Sequence, residues 1–281
     1  MITCLPDLFL DIIVKSKKEN KKTGNIKSKI LIKIGGNAAN FSIALSKLGL
    51  KNNLIACCGK LSYIIAKKEF KKLKINFYPI FTKNNITVSI EKEDRVMFTD
   101  SRGIQISKIS KYLDIIKKSE YIFFGNWNNN KKSNELLKWI IENSNAKIYL
   151  DIGDPSVNRK NLPNLIKILK EGKIWTLSLN EYELSYLCNF LEINGEDYIE
   201  LSKNLFKEIK VKNLDIHSPD FVYSLPSDTY IKIEKIKPKI LTGAGDVWNA
   251  ANFFGYYKKF SNIERLKFAN EIAKKYILRI F

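Results

Sequence analysis

The chain has 281 residues, with 48 Lys or Arg against 29 Asp or Glu, so its formal net charge at pH 7 is +19. Hydrophobic residues make up 45%, which is enough for a full core and excludes a disordered polycation. With only 13 Gly and 7 Pro, the composition also excludes a collagen-like or linker-like chain.

The sequence predicts a cytoplasmic protein with reduced thiols. No run approaches the roughly 20 uncharged apolar residues of a membrane span. The apolar N-terminal stretch carries Asp7 and Asp11 and lacks the basic leader and cleavage site of a signal peptide. The cysteines are Cys4, Cys57, Cys58 and Cys188. They contain no C-x-x-C pair, and adjacent cysteines rarely bridge, so we expect no disulfide.

The positive charge is spread along the chain. Lys, Ile and Asn are abundant throughout, even in apparent surface helices such as 66–74, and no arginine-rich arm or basic-aromatic repeat is present. We therefore interpret the charge as surface composition that would also attract phosphorylated small molecules. Nucleic-acid binding is kept as an alternative, which specific binding at about 0.2 M salt would support.

The N-terminal third predicts an α/β start followed by a small β layer. Strands are predicted at 8–14, 30–34 and Asn53–Cys58, a lysine-rich turn at 15–24, and helices at 38–48 and 62–73. Three short β-rich segments follow, at 77–81, 86–90 and 95–99. Together with 12–34 they predict a small antiparallel layer, an inserted β lid formed by about 12–34 and 75–104.

From residue 105 onward, helices and strands alternate. The predicted order is helix 109–118, strand Tyr121–Phe124, helix Ser133–Asn143, strand Lys147–Asp151, helix 162–171, strand 174–178, helices 181–187 and 197–209, and strand 214–216. This alternation is the mark of a parallel sheet with helices on both faces. Ligands bind at the carboxyl ends of such strands. The polar residues at those ends are Asn126, Asp151, Asp154 and Asn180.

The sharpest motif is TGAGD at 242–246, which opens an apolar helix predicted at 246–257. A small-residue loop at a helix start presents bare N–H groups and the positive helix end, so Gly243, Ala244 and Gly245 predict an anion hole. A carboxylate at that place, Asp246, suits phosphoryl transfer to a hydroxyl, in which it would act as the base. The alternative is an ordinary helix N-cap after a glycine turn.

A second glycine pair lies in GGNAAN at 35–40, just before helix 38–48. Asn40, one turn into that helix, can direct its amide at a polyol; the alternative is a tight strand–helix turn with a solvated Asn. Asp7 and Asp11 flank the start of the first predicted strand. Asp11 interrupts an apolar run, and a buried carboxylate needs a partner, which sugar hydroxyls would supply.

A third motif, NEYE at 180–183, stands at a strand end and opens a helix. Glu183 could hold Mg²⁺ through water, because Mg²⁺ keeps several waters and takes few protein ligands. Asn180 with Glu183 three residues on is also a capping box, and the two roles can coexist.

In this order, the motifs resemble those of the ribokinase-like carbohydrate kinases, the PfkB family: an early strand with a substrate-binding Asp, G-G-x-x-x-N, N-x-x-E and T-G-A-G-D. The resemblance spans residues 7–275. It implies a single ribokinase-like domain, with a three-layer α/β/α body, a mostly parallel central sheet and a small β-sheet lid. It also implies transfer of the γ-phosphoryl group of ATP, with Mg²⁺, to a hydroxymethyl group of a sugar, sugar phosphate or nucleoside.

Carried over to this sequence, the resemblance assigns roles to the motif residues. Asp246 would be the catalytic base, and Gly243, Ala244 and Gly245 the anion hole. Asp11, Gly35, Gly36 and Asn40 would hold the acceptor, whereas Asn180, Glu183, Thr242 and Asn270 would serve the nucleotide and Mg²⁺. The lid would close over the acceptor and exclude water. Lids of this family often pair between subunits, which predicts a homodimer.

Two departures from the family pattern bear on the function. Ile240 stands where many members carry an Asp of a monovalent-cation site. The segment DIHSPD at 215–220 lacks the family's G-x-x-G turn near the nucleotide, so a catalytically weak or inactive sugar- or nucleoside-binding protein is the alternative to a kinase. His217, the only histidine, is interpreted as a strand-end structural or nucleotide-side residue rather than a catalytic one.

The motifs do not name the acceptor. A nucleoside would need an aromatic stacking wall, for which Phe77, Tyr78, Phe98 and Trp127 are candidates. The same side chains could instead form the core of the lid.

Overall fold

The structure is a computed structural model that describes residues 1–15, 25–91, 95–240 and 242–281. The lysine-rich turn predicted at 15–24 lies outside these residues, apart from Lys15. In the described ranges, no helix is both long and apolar enough to cross a bilayer.

The secondary structure of the described residues follows the predicted α/β alternation. The strands are β1 Ile2–Leu5, β2 Phe9–Lys15, β3 Lys29–Gly35, β4 Asn53–Cys58, β5 Asn76–Phe81, β6 Asn85–Glu91, β7 Arg95–Asp100, β8 Tyr121–Phe124, β9 Lys147–Asp151, β10 Ile174–Asn180, β11 Asn213–His217, β12 Phe221–Leu225 and β13 Thr229–Lys232. The helices are α1 Asn37–Lys47, α2 Lys60–Lys72, α3 Ile106–Ile109, α4 Leu113–Lys117, α5 Ser133–Asn143, α6 Leu162–Lys170, α7 Glu181–Phe190, α8 Tyr198–Glu208, α9 Ala244–Tyr257 and α10 Asn262–Ile277.

A large sheet runs through the middle of the molecule in the order β13-β12-β11-β10-β9-β8-β1-β4-β5. The seven strands β5, β4, β1, β8, β9, β10 and β11 are parallel, and β12 and β13 add an antiparallel edge. Two apolar clusters lie on its two faces, one with side chains of α1, α2, α9 and α10, the other with side chains of α5 to α8. Because helices cover both faces, central strands such as β4 are buried along their whole length.

The strand order reverses direction at β1. From β1 the chain builds outward through β4 and β5 on one side, and through β8 to β11 on the other. Ligands of open α/β sheets bind in the crevice at such a reversal, beyond the carboxyl ends of the strands. Here that crevice begins at Asp7, just after β1, and at Asn126, just after β8.

A second, smaller sheet has the order β3-β2-β6-β7 and is called the small sheet below. Its β2–β3 and β6–β7 pairs are antiparallel, but β2 and β6 run parallel, so the expectation of a wholly antiparallel layer is wrong. The expectation that 77–81 belongs to this layer is also wrong. Instead, β5 pairs with β4 in parallel and forms one edge of the large sheet, because α2 returns the chain as a β–α–β crossover.

Candidate active site

Two of the predicted motifs meet where α1 and α9 begin. Gly36 and Gly243 are the N-cap residues of these helices, with φ angles of 93° and 91° that only glycine adopts without strain. The two helices pack side by side, so that Asn40 Nδ2 donates a hydrogen bond of 2.8 Å to Asp246 Oδ2. The glycine motif GGNAAN and the TGAGD loop, called the anion loop below, therefore share one site.

Asp11 lies at the same site, on the face of the small sheet that is turned toward the body. It stands opposite Lys33 of β3 and Thr87 of β6, and it is only 4% exposed. A Cβ atom on Gly35 would overlap its carboxylate, so glycine is required there for Asp11 to reach this position. The structure thus brings Asp11, Gly35, Gly36 and Asn40 into one neighbourhood.

The first turn of α9 provides an anion-binding geometry. Residues 244–246 are its N-terminal residues, whose N–H groups have no acceptor inside the helix. Side chains approach the loop closely, since a Cβ atom on Gly243 would lie 2.7 Å from Tyr276 Oη, and one on Gly245 would lie 3.4 Å from His217 Cε1. Because Gly243 and Gly245 have no Cβ atom, Tyr276 and His217 can lie against the loop. Its N–H groups at the start of the helix suit phosphate groups.

Asp7 fills the crevice at the strand reversal. Its Oδ1 accepts a hydrogen bond of 3.1 Å from the Ala38 N–H in the first turn of α1, and its Oδ2 accepts one from Asn126 Nδ2. Burial raises the pKa of Asp7 to about 7; these two hydrogen bonds lower it, while the nearby Asp246 and Asp151 raise it further. The carboxylates of the site therefore repel one another.

Asp151 stands at the carboxyl end of β9, between α1 and α9. Its Oδ2 accepts hydrogen bonds from Asn249 at 2.8 Å and from Asn37 at 3.4 Å, and its Oδ1 accepts one from the Gly153 N–H at 2.9 Å. Burial, followed by repulsion from Asp246, raises the pKa of Asp151 to about 7. The sequence placed Asp151 at the ligand-binding edge, and the structure places it in the electrostatic field of Asp246.

These raised pKa values predict that stability falls with rising pH. Asp7 and Asp151 titrate at about 7 in the native state, against about 4 in the unfolded chain. Between about pH 4 and pH 7 the native state thus binds more protons than the unfolded chain. The stabilisation from these two protonated carboxyls is full below about pH 4 and is lost as the pH rises through about 7. We expect the free energy of urea-induced unfolding to fall from about pH 5 to about pH 8, by up to about 1.4 kcal/mol per pH unit and group.

The control for this pH dependence separates the buried carboxyl from carboxyls in general. Asp7→Asn should flatten the slope, because the substituted side chain cannot titrate. Asp114→Asn, on the exposed side of α4, should leave it unchanged. Equal slopes for wild type and Asp7→Asn would contradict the assignment.

Asn180 and Glu183 form the predicted capping box at the start of α7. Asn180 Oδ1 accepts from the Glu183 N–H at 2.9 Å, and Glu183 Oε2 accepts from the Asn180 N–H at 3.0 Å. Burial, with repulsion from Asp151, raises the pKa of Glu183 well above its usual range. The described residues contain no cluster of three or more His, Cys, Asp or Glu side chains that could hold a metal ion. The carboxylate and amide oxygens of Glu183 and Asn180 are donors of the kind that Mg²⁺ prefers.

Asn270 and His217 meet around Trp248, in the second turn of α9. Trp248 Nε1 donates a hydrogen bond of 2.8 Å to Asn270 Oδ1, and the Trp248 and His217 rings lie 4.7 Å apart. His217 is the register partner of Asn180 on the adjacent strand, so it stands at the same sheet edge. Burial lowers the pKa of His217 to about 4, which makes the ring neutral at physiological pH.

The four aromatic candidates for a nucleoside-stacking wall do not come together. Phe77 and Tyr78 lie on the edge strand β5, and Phe98 is 59% exposed on the outer face of the small sheet. Trp127 is completely buried, where its Nε1 donates to Asn134 Oδ1. A position near the β layer in the sequence therefore did not show where in the fold these aromatic side chains lie.

A comparison with protein families decides the identity of the fold. The model of the pfkB family of carbohydrate kinases matches residues 1–279. The chain belongs to the PfkB family. This confirms the family resemblance of the sequence motifs and assigns the chain to a family of kinases.

Other relatives agree with membership of the PfkB family. A nucleoside kinase from Methanocaldococcus jannaschii is 25% identical over 92% of this chain and 84% of its own length. The ribokinase structure from Thermotoga maritima has a TM-score of 0.79, with 15% identity over 100% of this chain and 93% of that one. Phosphofructokinase-2 from Escherichia coli has a TM-score of 0.76, with 15% identity over 99% and 92%. The two structures confirm the ribokinase-like fold.

In this PfkB-family site, the sequence motifs did not reveal two side chains that contact it. Tyr276, in the last turn of α10, donates a hydrogen bond of 2.7 Å to the Thr242 carbonyl. Lys33 Nζ, on the small sheet, donates to Tyr276 Oη at 3.3 Å. The only signal in the sequence was that Lys33 lies two residues before the glycine pair; Tyr276 is 30 residues beyond Asp246 and had none.

Proposed function

We propose that this protein transfers the γ-phosphoryl group of ATP to a hydroxymethyl group of a sugar, sugar phosphate or nucleoside. The observation that carries the proposal is the hydrogen bond of 2.8 Å from Asn40 to Asp246. It joins the motif suited to hydroxyl groups with the motif suited to phosphate, so an acceptor bound near Asn40 has its hydroxyl beside both a carboxylate and a helix N-terminus.

In the proposed reaction, Asp246 acts as the base. Its carboxylate takes the proton of the acceptor hydroxyl, whose oxygen forms the new bond to phosphorus while the bond to the ADP leaving group breaks. Asn40 orients the carboxylate through Oδ2. The main-chain N–H groups of Gly243, Ala244 and Gly245 stabilise the charge on the phosphoryl oxygens.

Mg²⁺ would neutralise the phosphate charge of ATP at this site. We assign Glu183 to it through a water molecule, with Asn180 holding the Glu183 carboxylate from two sides, by its N–H at 3.0 Å and its Nδ2 at 2.8 Å. On the acceptor side, Asp11, Gly35 and Gly36 would accompany Asn40 in binding hydroxyl groups. On the nucleotide side, Thr242 and Asn270 would contribute to binding ATP.

A coupled assay of ADP release tests the function. Wild-type protein is incubated with Mg-ATP and a panel of sugars, sugar phosphates and nucleosides, with Asp246→Asn as the blank. We expect at least one acceptor to raise ADP release above the blank and to yield a phosphorylated product by mass spectrometry. Failure of every acceptor class, in protein shown to be folded, would contradict the proposal.

A catalytically weak or inactive binding protein of the same fold is the second candidate. It is favoured by the approach of His217 to Gly245, where a glycine-free segment takes the place of the family's G-x-x-G turn. Calorimetry distinguishes the two functions. Acceptor binding without any ATP binding would favour the binding protein, whereas binding of both would favour the kinase.

We further propose that the outer face of the small sheet pairs with a second copy of the chain. Side chains in register across a sheet share a face. Two neighbouring rows of four apolar residues therefore lie on the outer face of the small sheet. They are Ile32, Ile12, Val88 and Phe98 in one row, and Ile30, Val14, Ile90 and Val96 in the other. The rim members Ile30, Ile32, Val96 and Phe98 are each more than half exposed. A contiguous apolar face of this kind is typical of a subunit interface.

A charge on this face should break the dimer. Phe98→Asp would bury an unpaired carboxylate at the interface, and we expect the dimer dissociation constant to rise at least about 100-fold. Sedimentation velocity at several protein concentrations measures it. Ile263→Asp, also an exposed apolar residue but on α10, is the matched control and should stay dimeric. Wild-type protein that remains monomeric at about 100 μM would contradict the proposed interface.

A further inference from the structure

Tyr276 connects three parts of the molecule that the sequence motifs treat separately. Its hydroxyl donates to the Thr242 carbonyl at 2.7 Å and accepts from Lys33 Nζ at 3.3 Å. The hydroxyl also lies where a Cβ atom on Gly243 would clash with it, at 2.7 Å. It therefore packs directly on the anion loop while contacting the small sheet.

The hydrogen bond to Thr242 controls a group of the anion loop. A trans peptide is planar, with its C=O and N–H pointing in opposite directions. Fixing the Thr242 carbonyl thus fixes the direction of the Gly243 N–H, the first amide of the loop. Gly243 has no Cβ and a positive φ, so its own conformational preferences do little to restrain this peptide.

The small sheet also contacts Thr242 through the Thr242 side chain. Thr242 Oγ1 donates to Glu91 Oε1 at 3.0 Å, and Lys15 Nζ lies 3.8 Å from Glu91 Oε2 while donating to the Lys239 carbonyl at 3.1 Å. Lys15, Lys33 and Glu91 come from three different strands, β2, β3 and β6. A change in the position of the small sheet would therefore move or release its contacts with Thr242 and Lys239.

We propose that Tyr276 is a positioning residue. Through its hydrogen bond with Lys33, it couples the position of the small sheet to the orientation of the main-chain amides of the anion loop. This rests on the proposed kinase function. Asp11 and Lys33 are register partners on the inner face of the small sheet, so the strands that carry the acceptor-binding carboxylate also set the loop. The phosphoryl site is then fully ordered only when the small sheet is in place over it.

Hydrogen–deuterium exchange tests the proposal without turnover. In Tyr276→Phe the ring remains and both hydrogen bonds are lost, so we expect amide exchange in 242–247 to rise at least about threefold. Tyr257→Phe, on the exposed end of α9, is the matched control and should leave that segment unchanged. Unchanged exchange in Tyr276→Phe would overturn the proposal, even if wild-type protein is an active kinase.

Kinetics of the same variants test the transmission itself. We expect Tyr276→Phe to lower kcat about tenfold or more, with the KM for acceptor changed less than about threefold, because positioning acts on the transition state. If Lys33 acts through Tyr276, then Lys33→Met combined with Tyr276→Phe should be no slower than Tyr276→Phe alone, within about twofold. Additive losses would overturn the transmission. A wild type inactive toward every acceptor would instead overturn the kinase function, and the exchange result would still decide the role of Tyr276.

Discussion

Replacing Asp246 with Asn is expected to lower kcat at least about a thousandfold while leaving the protein folded. The amide cannot take a proton from an acceptor hydroxyl, and it places N–H donors or a neutral oxygen where the carboxylate stood. Removing the base alone accounts for a factor of about 10² to 10⁴. Because Asp246 also stands beside the amides that we propose to hold the phosphoryl group, the two effects combine.

The substituted asparagine side chain should fit the site with little net change in stability. It keeps the shape of Asp246 and an oxygen that can accept the hydrogen bond from Asn40. The substitution removes a favourable interaction with the N-terminus of α9, worth about 0.3–1 kcal/mol. It also removes a negative charge that raises the pKa of both Asp7 and Asp151, so the repulsion among the carboxylates decreases.

Steady-state kinetics with the acceptor identified in the panel measures this effect, and calorimetry with ATP shows that the donor still binds. Asp114→Asn makes the same chemical change on α4, which leads into the amino end of β8 and so lies at the edge of the sheet opposite the site. Its kcat should match that of wild type. An Asp246→Asn enzyme with more than about a tenth of wild-type kcat would remove Asp246 from the role of base.

Replacing Asp215 with Ala is expected to lower the free energy of unfolding by about 3–5 kcal/mol. Asp215 and Arg265 are 0% and 1% exposed, and Arg265 Nη1 lies 3.3 Å from Asp215 Oδ2. Asp215 also accepts hydrogen bonds from Ser224 Oγ at 2.6 Å and from Asn252 Nδ2 at 2.8 Å. Its loss would leave the Arg265 charge buried without a carboxylate, directly over the Tyr256 ring.

The loss comes from the unpaired charge, so removing both charges should recover much of it. Asp215→Leu with Arg265→Met replaces the pair by apolar side chains and is expected to be more stable than Asp215→Ala, as measured by urea unfolding. Lys203 and Asp228 form an ion pair with both side chains exposed. Lys203→Ala should therefore cost less than about 1 kcal/mol. A cost below about 1 kcal/mol for Asp215→Ala would show that Arg265 finds another partner or reaches water.

Much of the fold followed from local patterns in the sequence. The α/β alternation after residue 105 predicted the strands Tyr121–Phe124 and Lys147–Asp151 with the bounds that the structure has, because each is a short apolar run with turns at both ends. The helix predicted at 109–118 was less accurate. The structure has α3 ending at Ile109, a 3₁₀ turn at Ser110–Tyr112 and only then α4. In the turn, the Ser110 hydroxyl donates a hydrogen bond to the Ser107 carbonyl, which competes with regular helix formation.

The assignment of strands to sheets required the tertiary structure. The strand predicted at 8–14 corresponds to β2 of the small sheet, whereas β1 of the large sheet was not predicted. The strands β12 and β13 were not predicted at all. A short β-rich segment looks the same whichever partner it pairs with, since pairing is decided by residues distant in sequence.

By itself, the sequence determined the family resemblance and the residues of the two glycine motifs, GGNAAN and TGAGD. Those motifs are local: a glycine with a positive φ, a helix start and a carboxylate within one turn are all encoded by a few consecutive residues. Only the tertiary structure decided which of them touch, such as Asn40 with Asp246, that Tyr276 and Lys33 contact the same site, and that Asp215 and Arg265 form a buried pair. The reason is physical: these contacts join residues from tens to more than two hundred positions apart, and no local pattern records a distance that packing alone creates.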